Sequence, residues 1–272
     1  MKRTMPLRIQ QYYNKKNIST NFQTNNFTIS IVYFANLFVN PVHGHQLIIE
    51  QMTDLVHTGL LSQISHIHIV LSVPSSYNTT FLTIKLTYML GQKVVFHKNN
   101  EDCYEYPGIQ LVYSLANQNH SSTHYILYFH SKSMSRYKGV REEFEKSLHS
   151  TVIAPWKHVL SIFNNHPSID KIGWSASEYG FMWYNYWWVR SSYIVKVESP
   201  VKTSRRHYYE DWLCRVLLDK NGNNDPNRPE KCFQLNLYRH SDSNCWSLSY
   251  KKNNIGHGYD YIKAPPELLY KK

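Results

Sequence analysis

The sequence predicts a single α/β domain with a mixed, mostly parallel sheet flanked by helices. Three observations carry that prediction. Apolar runs at 27–38, 66–73 and 125–129 read as strands, the first and last apolar enough to be covered on both faces. Segments with apolar residues at helical spacing separate them. The alternation runs on without the composition shift of an interdomain linker and without an internal repeat.

The elements follow in order. Residues 1–26 are polar, basic and Asn-rich with no periodicity, and read as a disordered arm ahead of a domain over 27–272. The run 27–38 carries Ile29, Ile31, Val32, Phe34 and Ala35, and Asn40-Pro41 and Gly44 then punctuate the chain. Leu47, Ile48, Met52, Leu55, Val56 and Leu60 share one helical face over 45–61. A strand at 66–73 completes a strand–helix–strand unit, which the handedness rule makes parallel. A helix over 81–90, a short strand over 92–97, a turn at 99–102 and a helix over 107–116 precede the strand at 125–129. Beyond Lys132 the texture changes. A long helical stretch over 140–164 has Glu142, Glu143 and Glu145 in its early turns and a break at Pro155. A strand over 172–175, an aromatic loop over 176–185, helices over 187–195 and 209–218, and a last strand over 233–238 are predicted after it.

Composition narrows the function classes. The chain has 272 residues and a formal net charge of +11. Five Lys or Arg fall in the first twenty residues with no acid, which leaves about +6 on the rest. A nucleic-acid binder usually carries a denser basic stripe; a modest excess suits a polyanionic small ligand. The 22 tyrosines and 7 tryptophans offer rings for stacking on sugars and bases, although an AT-rich coding sequence also enriches Tyr. Cys103, Cys214, Cys232 and Cys245 show no CxxC, and the Cys232–His240–Cys245 spacing is a weak metal signal, so reduced thiols are the default. No apolar run reaches membrane-spanning length and the start lacks an apolar signal-peptide core, so the triplets at Asn17, Asn26, Asn78 and Asn119 read as chance glycosylation matches.

Three constellations carry chemistry. The strand at 125–129 stops abruptly on His130, Ser131 and Lys132. In α/β domains such a strand end delivers its side chains to the ligand crevice, and a diphosphate leaving group needs positive charge or a metal there. The bland alternative is a solvated strand end. Glu210 and Asp211 open an amphipathic segment at the place of a helix cap, or of a base at a cleft rim. The stretch 180–190 packs six aromatics into eleven residues, more than one helical face can bury, so Trp183, Tyr184, Trp187 and Trp188 are candidate ring contacts to a sugar. Arg190 is a candidate phosphate partner. Among fifteen histidines, His207 and His240 lie near site elements.

These blocks, in this order, resemble the GT-A type of nucleotide-sugar-dependent glycosyltransferases, in particular a group that includes chlorella-virus-encoded enzymes and bacterial relatives. That group carries a Tyr-Leu-His-Thr-Lys-Gly-like strand end where other GT-A enzymes have Asp-x-Asp. Here it stands as Tyr128-Phe129-His130-Ser131-Lys132-Ser133, with Ser133 in place of Gly. A Glu-Tyr-Pro-Gly block stands at 105–108, a Trp-Trp-Ala-Arg-like block as Trp187-Trp188-Val189-Arg190, and an Arg-Tyr-x-x-Glu-x-Trp-like block at 206–212. The likeness spans roughly residues 28–218.

The resemblance implies a UDP- or GDP-linked sugar donor and a hydroxyl of a glycan or related acceptor. It places the nucleotide near Tyr33, Phe34 and Ala35 at the end of the first strand. It puts His130 and Lys132, with Ser131 between them, at the phosphates, the Trp187-Trp188 loop on the acceptor side next to the candidate rings of Trp183 and Tyr184, and a base at Asp211 first and Glu210 second. Without two carboxylates, Mn²⁺ or Mg²⁺ chelation is in question, and His130 is the metal ligand to test. The implied setting is a soluble protein of cytoplasmic or virus-factory type, with no specific nucleic-acid partner. The alternative from another class is a non-catalytic glycan- or nucleic-acid-binding module. A nucleotidyltransferase usually wants a Gly-rich phosphate loop, and the segment after Phe38 offers only Gly44.

Overall fold

A computed structural model describes residues 27–174, 181–205, 207–216 and 245–248. Its strands are β1 (Thr28–Asn36), β2 (His66–Ser72), β3 (Val94–Asn99), β4 (His124–His130), β5 (Lys171–Gly173), β6 (Trp187–Arg190) and β7 (Cys245–Ser247). The helices are α1 (Gly44–His57), α2 (Thr80–Leu90), α3 (Tyr106–Gln118), α4 (Glu143–Leu148), α5 (Trp156–Asn165), α6 (Ser191–Ile194) and α7 (Tyr208–Asp211). The sheet order is β3-β2-β1-β4-β6-β5-β7. β6 runs antiparallel to β4 and β5, and the other pairs are parallel. This is a mixed, mostly parallel sheet flanked by helices.

Side-chain alternation explains why the central strands read as unbroken apolar runs. Ile29, Ile31, Tyr33 and Ala35 of β1 pack into the layer that holds α1, α2, α4 and α5. Val32 and Phe34 pack on the other face, against Ile109, Val112 and Ala116 of α3. A strand covered on both sides has no polar face to show.

The chain crosses over twice to one side of β1, through α1 to β2 and α2 to β3, and then returns through α3 to place β4 on the other side. The direction of winding therefore reverses between β1 and β4. At such a reversal the two adjoining connections diverge and leave a crevice at the carboxyl ends of the strands. Phe34 pairs with His130 in the β1–β4 register, so the polar tip of β4 stands at that reversal.

Three expectations need correction. The helix expected over 209–218 is a short α7 followed by a 3-10 turn at Trp212–Cys214. The stretch 187–195 is not one helix. Residues 187–190 form β6 and only Ser191–Ile194 are helical. The long segment after Val140 is three pieces: α4, a π-helical turn at His149–Ile153 and α5, with Pro155 capping α5. The strand expected over 233–238 and the basic arm over 1–26 lie outside the described residues. Among the described residues no helix is long and apolar enough to cross a membrane.

Candidate active site at the end of β4

β4 ends in a tight turn that hydrogen bonds pin from below. The Ser131 amide donates to the Phe34 carbonyl at 2.8 Å, and the Met134 amide donates to the Ser131 carbonyl at 3.1 Å. Ser133 sits between them with φ +67°, in the left-handed region. Glycine enters that region freely, and any other L-residue pays about 1 kcal/mol or more for it. The resembling enzymes have glycine here. Ser133 gains in return a hydrogen bond from its Oγ to Glu142. Asn40 closes the turn by donating to the carbonyls of Met134 and Tyr137.

The turn leaves Lys132 half-buried with its ammonium 5.1 Å from the centre of the Tyr184 ring. Among the described residues Lys132 makes no salt bridge. A cation on an aromatic face keeps most of its capacity for an anion.

Glu105 is the hub of the site, and no charge pattern in the sequence marked it. It occupies the N-cap of α3, with Pro107 in the first turn. Its Oε2 accepts from the Tyr128 hydroxyl at 2.9 Å and from Asn185 Nδ2 at 3.0 Å. Its Oε1 lies 3.7 Å from His130 Nδ1. Gly108 explains how α3 comes so close. A Cβ there would meet Phe34 Cβ at 2.9 Å and the Tyr128 hydroxyl at 3.0 Å. The Glu-Tyr-Pro-Gly block thus encodes a cap, a first-turn proline and a contact only glycine allows.

His130 is held from two sides. Its Nε2 is 3.1 Å from the Tyr184 carbonyl. A carbonyl only accepts, so Nε2 carries a proton and Nδ1 faces Glu105. The Tyr186 hydroxyl donates to the His130 carbonyl at 2.9 Å. Asn185, whose side chain is buried, donates to both Glu105 and the Tyr209 carbonyl at 3.1 Å. One asparagine therefore joins the N-cap of α3 to the first turn of α7. Tyr184 and Asn185 both have positive φ, at 70° and 50°. Strained backbone of this kind persists where the surroundings over-determine it.

The two acids of α7 have separate environments. Asp211 is buried, not at a cleft rim as expected. Its Oδ1 accepts from Arg215 Nε at 2.9 Å and its Oδ2 from Arg205 Nη2 at 3.2 Å. Arg215 in turn lies over the Tyr208 ring at 4.6 Å. With guanidinium groups on both oxygens, Asp211 is a clamp that holds α7 to its flanks. Glu210 is half-buried and 3.5 Å from the exposed His207.

Four further expectations are corrected by burial. Arg190 does not reach the phosphate region. It pairs with Tyr125 in the ladder, five residues along β4 from His130, roughly 16 Å at the rise of a strand. There its guanidinium donates to the carbonyls of Ile169, Ser122 and Phe163. Trp187 and Trp188 are fully buried, on opposite faces of β6. Trp187 stacks on Tyr128 with ring centres 4.9 Å apart, and Trp188 Nε1 donates to the Val152 carbonyl at 2.9 Å. The side chains of Phe34 and Ala35 are core. The Tyr33 hydroxyl points into a buried chain of polar groups: it donates to Gln51, which donates to Glu145, which pairs with Arg141. Burial pushes the Tyr33 hydroxyl well above its ordinary pKa, so it stays a neutral donor. The polar residue that β1 does deliver to its carboxyl edge is Asn36, whose Nδ2 donates to Asp102 at 2.8 Å.

Trp183 and Tyr184, by contrast, stay half-buried, with Tyr184 beneath the Lys132 ammonium. Phe181, Trp183, Tyr184 and Phe144 follow one another at ring-centre distances of 4.8 to 6.4 Å. These rings form a partly open aromatic ridge.

The fit to a divalent metal is poor on the protein side. Among the described residues no three His, Cys, Asp or Glu side chains are grouped to hold one. His130 Nδ1 and Glu105 Oε1 are the nearest pair of donors, and Glu105 already accepts two hydrogen bonds. Mg²⁺ and Mn²⁺ want about six oxygen-rich ligands.

No protein-family model matches the chain, and no curated protein matches it. HddC from Yersinia pseudotuberculosis is a similar solved structure, 11% identical, covering 62% of this chain and 78% of that one, with a TM-score of 0.34. A protein from Desulfovibrio desulfuricans G20, assigned as a nucleotide-diphospho-sugar transferase, is 13% identical, covering 78% of this chain and 75% of that one, with a TM-score of 0.35. At these scores neither likeness bears on function, and the site is read from its own geometry.

Proposed function

We propose that this protein is a nucleotide-sugar-dependent glycosyltransferase. It moves a sugar from a UDP- or GDP-linked donor to a hydroxyl of a glycan or related acceptor. One observation carries the reading: Lys132, a cation with no ion pair among the described residues, stands with His130 at the winding reversal between β1 and β4. A diphosphate is the ligand such a place suits, with negative charge to match and a crevice to enter.

The roles follow from what each group can still do. Lys132 and His130 take the charge that builds on the diphosphate as the bond to the sugar breaks and its electron pair leaves with phosphate oxygen. Trp183 and Tyr184 offer ring faces to the sugar or acceptor. Asp211 was the first candidate for base, but its oxygens are engaged by Arg205 and Arg215. We assign the base to Glu210, which is partly exposed one residue away, in an inverting reaction. It accepts the acceptor hydroxyl proton as that oxygen bonds to the anomeric carbon.

A thermal-shift panel of UDP, GDP and their sugars, with and without Mn²⁺, followed by donor hydrolysis, tests the reading. Stabilisation by a nucleoside diphosphate and release of it from the sugar donor are expected. A protein unmoved by every nucleotide, yet binding glycans or polyanions with steep salt dependence, is a binding module instead.

A further inference from the structure

α2 is apolar on two opposite faces, and among the described residues only one of them is covered. Leu82, Leu86 and Leu90 are buried in the core. On the other side Phe81, Ile84 and Tyr88 recur at i, i+3 and i+7, the spacing of one helical stripe. They are 66%, 65% and 90% exposed. A groove between α2 and β3 widens the stripe, lined by Thr83, Ile84, Thr87, Tyr88 and the half-buried Phe96. A single exposed apolar residue needs no account, but a contiguous patch marks a surface that meets something other than water.

The charge around the stripe is of one sign. Residues 55–100 contain no Asp or Glu. Lys85 follows Phe81 by four residues and precedes Tyr88 by three, so it borders the stripe. Lys98 lies two residues beyond Phe96, on the same face of β3. Both lysines are exposed, and neither makes an ion pair among the described residues. Acids on the neighbouring elements are engaged elsewhere. Glu50 of α1 accepts from Tyr137 and Gln46, and Asp54 pairs with Arg141. Past β3, Glu101 pairs with Lys202 and Asp102 accepts from Asn36. An apolar stripe edged by such cations complements an anionic surface with a hydrocarbon interior, which is a bilayer with acidic headgroups.

Other occupants fit less well. A second copy would set this acid-free surface against itself. The three stripe side chains expose on the order of 400 Å², against the ~800 Å² that each partner gives to a standard protein interface. Among the described residues β3 is the edge of the sheet, and an edge lysine such as Lys98 discourages strand pairing between copies. The terminal stretches 1–26 and 249–272 each carry more Lys and Arg than Asp and Glu, the same sign as the face.

We propose that α2 docks the protein on membranes that carry anionic lipid. Phe81, Ile84 and Tyr88 enter the boundary between headgroups and acyl chains, and Lys85 and Lys98 meet the anionic headgroups. With 11 residues α2 lies along the surface and does not cross it. Docking of this kind is independent of the glycosyltransferase reading and uses neither Lys132 nor Glu210.

Flotation of the full chain with vesicles of phosphatidylcholine, alone or with about one-third phosphatidylserine, tests the docking. Wild type should float with the phosphatidylserine vesicles and bind phosphatidylcholine alone about tenfold more weakly. Phe81→Ser with Tyr88→Ser keeps every charge, including those of residues 1–26, and should weaken binding about tenfold or more. Lys85→Gln with Lys98→Gln should weaken it about tenfold, and added salt should weaken wild type in the same direction. Melting temperatures should hold, because the positions are exposed. If the double serine variant unfolds, Tyr88→Ser alone gives the same readout. Undiminished flotation of the folded serine variant overturns the docking and leaves attraction by charge alone. Wild type that floats with neither vesicle overturns it as well. A wild-type dimer in sedimentation that the serine variant loses, without vesicle binding, overturns it in favour of a second copy. None of these outcomes bears on the nucleotide panel, so the two readings fail separately.

Discussion

The two ends of β4 both have a cation nearby, and the two cations have opposite fates. At the amino end Arg190 crosses from β6, is buried, and spends its donors on three backbone carbonyls. At the carboxyl end Lys132 is half-buried, with an aromatic face beneath it and no ion pair among the described residues. Arg190 ties β6 to the loops at 122 and 169 and to α5 at Phe163; the Lys132 ammonium makes no ion pair among the described residues. The difference teaches that a cation's role is set by its remaining donor capacity, not by its presence in a motif. The acids of α7 repeat the lesson, with Asp211 saturated by guanidinium groups and Glu210 not.

The contrast is sharpest in the acids. Glu210→Gln should lower transfer by about 10²–10⁴-fold, the usual worth of a general base, with the melting temperature little changed. Asp211→Asn should do the reverse. It removes the buried carboxylate that Arg205 and Arg215 share and costs about 3 kcal/mol of stability by denaturant titration. Wild-type stability in Asp211→Asn, or wild-type turnover in Glu210→Gln, would exchange their roles.

At the two ends of β4 the same split is expected. Lys132→Ala should lower transfer about 10²–10³-fold, as loss of one charge-stabilising donor does, and leave folding intact. Arg190→Ala strands the two buried carbonyls of Ile169 and Phe163, each worth about 1 kcal/mol or more, and frees the partly buried one of Ser122. Its midpoint of unfolding should drop while nucleotide affinity of the folded fraction holds.

A pH scan separates the site from the scaffold. Burial holds His149 and His68 neutral, each pushed down to about 4. A histidine with a lowered folded pKa binds fewer protons folded than unfolded. Stability is therefore full above the ordinary histidine pKa of about 6.5 and is lost as pH falls toward about 4. Replacing His149 by Phe should flatten that slope in chemical denaturation. An unchanged slope would show that His149 does not contribute to it.

The smallest effect belongs to the aromatic ridge. Trp183→Ala should change stability by less than about 1 kcal/mol, since the side chain is half-exposed. It should raise the KM for acceptor more than it lowers kcat. Trp187→Ala, buried in the same sequence block, should instead destabilise by about 3–5 kcal/mol.

Much of the fold was legible in the sequence because strands covered on two faces and helices with one wet side leave different periodicities. β1, β2 and β4 announced themselves that way. β6 did not, because Trp-Trp-Val shows no polar alternation ahead of Arg190 and fits a helix as well as a strand. Only the placement of Trp187 and Trp188 on opposite faces shows strand parity. The tip of β4 was legible as an abrupt polar stop. Arg190 was misassigned because its partners are backbone carbonyls, which no sequence pattern displays. Glu105 was missed as a site residue because its partners lie 23 and 80 positions away, at Tyr128 and Asn185. Its one local signal was an acid placed just before Tyr-Pro-Gly at a helix start.

A crystal structure with UDP or GDP bound tests the central claim most directly. The account predicts diphosphate oxygens within about 3.2 Å of Lys132 Nζ, over the reversal between β1 and β4. A nucleotide seated elsewhere, or one whose phosphates turn away from Lys132, would contradict it.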